Sequence, residues 1–456
     1  MKKHPHTFTK FCLLIGLLAS SCQKFLDIKS DKSLVVPQSL NDMQALLDDA
    51  TTMNLRTTPS YGEASADDYF LTPTALAPLG VNSQEVYRWR SIPYRFQNDW
   101  SLSYLAIYNA NLALDMLKEL ERTTANAQLW DNVKGSAHFY RAFYELGLLG
   151  QHGLAYDSHL SQSDLGIPLR RTSDFNTPSA RATVAECYQA ILDDLNIAVM
   201  LLPALPQHVY RPSKSAGHAL LARVHLYMRN YPTALSETEK ALYIKSELMD
   251  FNNDSDIFSQ TAAVPFKPFN KEIIFYTEMF AWLGLQTPTR ATITSDLYAS
   301  YQTNDLRRTL FFLANGSNQR FKGSYTSHAS SLFTGLAVDE LYLNRAECLA
   351  YLDRIPESME EINNLLKKRW RNTVAYIPLT ANSKSEALLK IRMERRKSLL
   401  MRGLRWMDIK RQNKEGTEIT PSRTIEGVTY TLTPNSPSYA LPLPADILEQ
   451  TGMPQN

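Results

Sequence analysis

The run Tyr231-x-x-Ala234-x-x-x-Thr238-x-x-Ala241-Leu242 places small residues on one face of a helix at intervals of three and four. Such a face suits an antiparallel partner helix lying close by, because the side chains between two helices set how near their backbones come. The partner comes first in the chain: residues 214–228 are helically periodic and carry Ala222 where the first helix also needs a small residue. Asn230-Tyr231-Pro232 makes the turn, with proline in the first turn of the new helix, where its missing N–H costs little. Together these are the marks of a tetratricopeptide helix pair. A second copy spans residues 339–369, with Leu341, Leu343, Ala346 and Leu349 on its first helix. Asp353-Arg354-Ile355-Pro356 forms its turn, and Met359, Ile362 and Leu365-Leu366 line its second helix.

Ala222 and Ala346 are 124 residues apart, against about 34 for a tetratricopeptide repeat. This spacing predicts helix pairs separated by long insertions and not a continuous solenoid. A third, degenerate pair combines 130–149 with 183–202, split by a loop rich in Gly, Ser and Asp, and a helix over 100–120 precedes it. The insertions 57–98, 251–331 and 416–444 lack clean periodicity and are rich in aromatic residues and proline. Disordered segments are aromatic-poor, so these stretches are expected to be ordered. Within the last of them, Thr429-Tyr430-Thr431-Leu432 alternates as a hairpin strand does. The predicted fold is all-α, a scaffold of tetratricopeptide-like pairs with irregular aromatic-rich inserts and little strand.

The N-terminus carries a different signal. Lys2, Lys3 and Lys10, the apolar stretch 11–18 and Ala19-Ser20-Ser21 form a secretory leader over residues 1–21, too short to span a bilayer. Cys22 directly after the small residues predicts bacterial lipoprotein processing, with several acyl chains on that thiol giving firm membrane attachment. The mature chain, 22–456, is read as one large domain. Without the three leader lysines it holds 45 basic against 46 acidic residues, a balance that gives no basic face for nucleic acid. Cys187 and Cys348 sit in helical stretches and are read as core residues, with a bridge between them left open.

Several candidate sites are weighed on their residue types. Asp250-x-Asn252-x-Asp254-x-Asp256 mimics the opening of a calcium loop, but Ser255 replaces the required glycine and Thr261 the closing glutamate. An exposed polar turn is the expectation there, and the chain calls for no metal and no cofactor. No Gly-x-Ser-x-Gly, His-Glu-x-x-His or phosphate-cradling loop occurs, so catalysis is not expected. The basic run 392–411 alternates an apolar stripe with Glu394 and Asp408 and reads as a solvated, ion-paired helix. Sugars present apolar C–H faces ringed by hydroxyls, so a site for them needs flat aromatic rings beside polar groups. The segment 84–98 supplies this combination in Tyr87, Trp89, Arg90, Tyr94 and Asn98, with Trp89 expected to stack and Arg90 and Asn98 to hydrogen-bond. For any one of these rings, packing inside the loop is the competing role.

The chain also resembles the SusD/RagB family of outer-membrane lipoproteins. Phe25-Leu26-Asp27 after the cysteine is similar to the family's mature start, and Trp100, Tyr104, Ile107 and Asn111 to its first long helix. Lys134-Gly135-Ser136-Ala137-His138-Phe139-Tyr140-Arg141-Ala142-Phe143-Tyr144 resembles the next helix, followed by Gly166-Ile167-Pro168-Leu169. Asn344-Arg345-Ala346-Glu347-Cys348 with Ile362-Asn363 is similar to the family's late helix pair. Glu394-Arg395-Arg396 with Leu399, Gly403 and Arg405-Trp406-Met407-Asp408-Ile409-Lys410-Arg411 is the strongest match, and Tyr439-Ala440-Leu441-Pro442-Leu443-Pro444 with Ile447 repeats the ending. Ser136, Ser398 and Arg402 stand where the family commonly has acidic residues, which puts internal ion pairs in question. The resemblance implies a surface-exposed outer-membrane protein that captures oligosaccharide and serves a TonB-dependent transporter of the SusC type. It also implies a ligand site drawing on loops of this early region and on the later insert, which makes Asp67, Asp68, Trp282 and Tyr325 further candidates. A peptide-capturing relative and a tetratricopeptide adaptor that holds protein partners are the competing readings.

Overall fold

The computed structural model describes residues 37–326 and 328–456; the leader, Cys22 and Phe25-Leu26-Asp27 lie outside the described residues. The elements below belong to the unit Leu40–Asn456. Among the described residues there are seventeen α-helices, and the named strands form only two-stranded antiparallel pairs. The longer helices are α1 (Asp99–Leu117), α2 (Ala127–His152), α3 (Val184–Leu201), α4 (Lys214–Tyr227), α5 (Tyr231–Ile244), α6 (Val338–Tyr351), α7 (Ile355–Lys367), α8 (Lys384–Ser398) and α9 (Arg405–Lys414). Local chemistry fixes their starts. Asn98 and Ser101 close a capping box at α1, and Thr183 and Glu186 close another at α3. Ser213 and Ser383 cap α4 and α8, while Pro232 and Pro356 sit in the first turns of α5 and α7.

The α4–α5 and α6–α7 turns are the same structure used twice. Arg229 and Asp353 both adopt left-handed φ, 60° and 61°. The N–H of Asn230 donates to the carbonyl of His225 at 2.8 Å, and that of Arg354 to Leu349 at 2.9 Å. This is the closing bond of a Schellman motif, which satisfies a carbonyl left open at the helix end.

The expected separation of the pairs holds in the chain but not in space. Helices α1 to α7 pack in sequence order, each on the next, and α5 lies directly against α6 although 93 residues intervene between Ile244 and Val338. Leu226, Ala234 and Leu235 meet Cys348 and Leu349 at that joint. The insertion is looped out, so the reading of an interrupted array is corrected to a continuous row of helices.

The inserts build a second hydrophobic core. Tyr61, Tyr69, Tyr87, Tyr94, Phe251, Phe266, Tyr301, Phe311, Tyr325 and Trp406 are buried within it. The strand pairs Tyr69–Phe70 with Thr292–Ile293 and Ile273–Phe275 with Leu336–Ala337 tie stretches of chain that lie far apart in sequence. The alternating segment forms a hairpin, Ser422–Ile425 with Val428–Thr431, and Glu426 and Gly427 between them both take positive φ, as a two-residue hairpin loop requires.

The basic run 392–411 is ion-paired but not solvated, which corrects that expectation. Arg395, Arg402 and Arg411 are buried, as is Lys410. Arg395 donates to Asp408, Arg402 grips Asp339 through two bonds of 2.9 Å, and Arg411 grips Glu347. Burying guanidinium groups is tolerable only with partners of this quality. Lys410 donates to the carbonyls of Gly150 and Gly153, open acceptors at the C-terminal end of α2. At Ser398 the pairs are intact: Ser398 accepts from Arg307 at 2.7 Å, and Arg307 also meets Asp305 and Glu394. Cys187 and Cys348 are free and fully buried. The calcium-like stretch satisfies itself: Asp250 accepts from Asn252, and Asp254 from Lys271 and the N–H of Asp256. Among the described residues no helix is long and apolar enough to cross a membrane.

Candidate functional site

The segment 84–98 begins on the short helix Val81–Tyr87 and ends at the cap of α1. Trp89 follows that short helix with φ at +55°, a left-handed conformation that costs an L-residue about 1–2 kcal/mol. Three contacts hold it there. Its N–H donates to Val86, its indole N–H donates to the carbonyl of Ser65 at 2.9 Å, and the guanidinium of Arg423 lies 4.6 Å from its ring centroid. Arg423, on the hairpin, also faces Tyr87 at 4.2 Å and donates to the carbonyls of Tyr87, Ala64 and Ala66. The half-buried indole is therefore a fixed ring and not a swinging one.

Arg90 is exposed, pairs with Glu85 at 3.0 Å and lies 5.7 Å from the ring centroid of Tyr430. Trp89, Arg90 and Ser91 line a recess of about 180 Å³ closed on its other side by Ser438, Leu441 and Pro442. Tyr430 and Arg423, opposite each other in the hairpin register, are neighbours of this candidate site that sequence reasoning missed. The alternation around Tyr430 located the hairpin; nothing in the sequence paired it with Trp89.

Most of the other candidates lie in the interior. Tyr87 is buried, its hydroxyl accepting the N–H of Leu71 at 2.7 Å. Tyr94 is buried, donates to the carbonyl of Pro442 and stacks on Trp282 at 5.1 Å, with Tyr61 edge-on to both. Trp282 itself is half-buried. Asn98 caps α1 with its side chain, and Tyr325 donates to Glu272 at 2.7 Å beneath the guanidinium of Arg402. The three tyrosines, Tyr87, Tyr94 and Tyr325, fill the core, since the ring content that marked the loops as ordered is what packs them, while Asn98 serves as a helix cap at the edge of a larger cleft.

Asp67 and Asp68 are likewise structural. Arg405 grips Asp67 at 2.6 and 2.9 Å, and Arg396 donates to Asp68 at 2.6 Å. Burial pushes both carboxyls up; the two arginines outweigh it at Asp67, which falls below the usual carboxylate range, and Asp68 stays raised beside that charge. The pair locks the aromatic loop to α8 and α9. The structure thus brings together Trp89 and Arg90 at one recess and places Trp282 against Tyr94 and Tyr61.

Two family profiles match the chain. Residues 24–226 match one described as "Starch-binding associating with outer membrane", and residues 250–445 match that of the SusD family. No curated protein sequence matches the chain. Among solved structures, a Bacteroides vulgatus protein superposes with a TM-score of 0.75 at 21% identity, covering 92% of this chain and 99% of its own. A SusD superfamily protein from Bacteroides thetaiotaomicron gives 0.73 at 18% identity, with the same 92% and 99% coverage. A SusD-like carbohydrate binding protein from Bacteroides vulgatus gives 0.67 at 20% identity, covering 91% of this chain and 97% of its own. At these identities the superpositions speak for the helical, tetratricopeptide-like fold, and the two profiles, which between them take in most of the sequence in order, speak for descent: the chain belongs to the SusD/RagB family.

Proposed function

We propose that this protein is a lipid-anchored, surface-exposed outer-membrane protein that captures oligosaccharide and passes it to a TonB-dependent transporter of the SusC type. Its membrane attachment is through acylated Cys22 alone, after removal of residues 1–21, with 22–456 as the working domain. The observation that carries the reading is the Trp89 platform: an aromatic ring held rigid by Arg423 and Ser65 beside an exposed guanidinium, in a chain of this family. A fixed ring loses little freedom when a sugar stacks on it, and Arg90 supplies the flanking contact, with Trp282 a further candidate. The protein binds and releases its cargo and does not cleave it. The adjacent acids of the aromatic loop, Asp67 and Asp68, are held by arginines and are not spaced as the acid and nucleophile of a glycosidase.

The test is calorimetric titration of the mature chain with neutral oligosaccharides and with extended peptides. A central aromatic anchor is worth about 2 kcal/mol, so Trp89→Ala is expected to weaken glycan binding by roughly 30-fold. Binding of peptides alone would transfer the reading to the peptide-capturing relatives. Binding of neither, with capture of protein partners on the helix row, would favour the adaptor. Cys22→Ser is expected to release the protein from the membrane fraction.

A further inference from the structure

The recess beside Trp89 is small. Pockets that enclose a small ligand run to about 300–1,000 Å³, and that recess holds about 180 Å³. A cleft of about 620 Å³ opens on the other side of the segment 93–98, above the outward face of α1. The two openings have no lining residue in common, but neighbouring stretches of the same two segments line them. Ala445 donates to the carbonyl of Tyr94 at 2.8 Å and the N–H of Phe96 donates to Asp446 at 3.2 Å, so the chain around 440–447 runs alongside 94–96.

The far wall of the cleft is the loop from Arg170 to Ser179, and its bracing is unusual for a surface loop. Asn111 of α1 donates to the carbonyl of Arg170 at 2.9 Å. Asp115 accepts from the backbone of Ser173 at 2.7 Å and from the hydroxyls of Ser173 and Thr172. Arg171 reaches inward to Asp194 at 2.8 Å and Glu145 at 3.0 Å. On this framework Phe175 is 75% exposed yet stacked on Tyr108 of α1, ring centroids 4.9 Å apart and planes 21° from parallel. Phe96, 74% exposed, borders the same cleft. Two exposed phenyl rings bordering one cleft form an aromatic surface suited to stacking.

The charge of the lining narrows the ligand. Among the described residues that line the cleft, Arg170 and Asp446 are the ionisable members with formal charge at neutral pH. Arg170 spends its guanidinium on its own loop, donating to the carbonyls of Thr177 and Asp174 and to the hydroxyl of Ser179. The lining thus holds one arginine, with three of its N–H groups turned to neutral acceptors of its own loop, against one aspartate, a balance that does not favour a polyanion. Asp446 lines the cleft and accepts the N–H of Phe96 at 3.2 Å, and its carboxylate is an acceptor suited to a hydroxyl and repellent to an anion.

We propose that this cleft is a carbohydrate site separate from the Trp89 recess and selective for neutral oligosaccharides, with Phe175 and Phe96 stacking on sugar rings and Asp446 accepting a hydroxyl. The proposal rests on the reading of the protein as a glycan binder and goes beyond it in place and in ligand charge. The test titrates the mature chain with maltoheptaose, cellohexaose and a fructan oligosaccharide, and in parallel with hexagalacturonate and a heparin-derived octasaccharide. Wild type is expected to bind a neutral member and neither acidic one. Phe175→Ala, at an exposed position that leaves the fold alone, and Phe96→Ala are each expected to weaken at least tenfold the neutral binding that remains in a Trp89→Ala background. Neutral binding that survives both phenylalanine variants but is lost in Trp89→Ala overturns the cleft and spares the proposed function. Tighter binding of either acidic oligosaccharide overturns the charge argument. Failure of every glycan on wild type overturns both proposals together.

Discussion

Replacing Arg411 by leucine tests whether the buried charges between α6, α8 and α9 hold the helix row together. Arg411 is 1% exposed and reaches the fully buried Glu347 through two bonds of 2.8 and 3.1 Å. With charge centres about 4 Å apart and an effective dielectric constant of about 20, their attraction is about 4 kcal/mol. The acid gives a second measure. Burial alone would push Glu347 up, yet Arg411 and Arg392 bring it down from 4.5 to about 2. That displacement corresponds to about 3 kcal/mol. In the variant Arg392 still donates to Glu347 at 3.1 Å, so the acid is not abandoned and the expected cost is about 3 kcal/mol, the low end for breaking a buried pair.

The pH dependence separates a charge effect from lost packing. A depressed acid stabilises the fold fully above its unfolded value near 4.5, and that stabilisation is lost as pH falls toward 2. The gap between wild type and Arg411→Leu should therefore narrow from about pH 6 to about pH 3, and Arg411→Leu with Glu347→Leu should recover most of the loss. Urea unfolding followed by circular dichroism measures all three proteins. A cost under about 1 kcal/mol at neutral pH, or a gap as wide in acid as at neutrality, would refute the reasoning.

Glu63 provides the opposite sign. Burial, with Asp68 beside it, raises its carboxyl from 4.5 to about 8, while the N–H of Gly403 donates to it at 2.8 Å. The native chain then holds a proton that the unfolded chain releases, so this contribution is whole below about pH 4.5 and is lost as pH rises through 8. Glu63→Gln should match wild type near pH 5 and melt higher near pH 9; parallel melting curves at both values would contradict the shift. For Gly335, an added Cβ would fall 1.9 Å from the carbonyl oxygen of Phe275, within the strand pair it belongs beside. Gly335→Ala is expected to cost about 3 kcal/mol, and Gly316→Ala, at φ +62° in open space, about 1 kcal/mol. Equal unfolding midpoints for the two alanine variants would show that the strand pair can yield.

The helix pairs were readable because their cause is local. Ala222, Ala234, Ala241 and Ala346 must be small wherever the rest of the chain goes, and the turns before Pro232 and Pro356 close through bonds five residues long. The continuity of the row was not readable, because the contact of α5 with α6 joins faces that the chain separates by the whole aromatic insert. The same limit governs the site. A tyrosine that fills a core and one that faces a sugar are identical in sequence; what distinguishes Tyr94 from Phe96, two residues on, is that Pro442 and Trp282 happen to cover the first and nothing covers the second.

The basic run shows how far this reaches. Arginines at 395, 402, 405 and 411 read as a solvated face because their acids, Asp408 apart, lie far off in sequence: Asp67 in the first insert, Asp339 and Glu347 on α6. Once those pairs are known, the aromatic loop, the helix row and the C-terminal helices become one charged lattice. The aspartates that looked like a place to bind sugar are the rivets that keep Trp89 still. Rigidity of the ring and burial of the acids are thus coupled, and Arg405→Met should loosen the Trp89 platform although it touches no ligand: the fluorescence anisotropy of the Trp89 indole would fall, and glycan affinity would fall with it. A variant that frees Asp67 yet leaves the platform and its affinity unchanged would break that link.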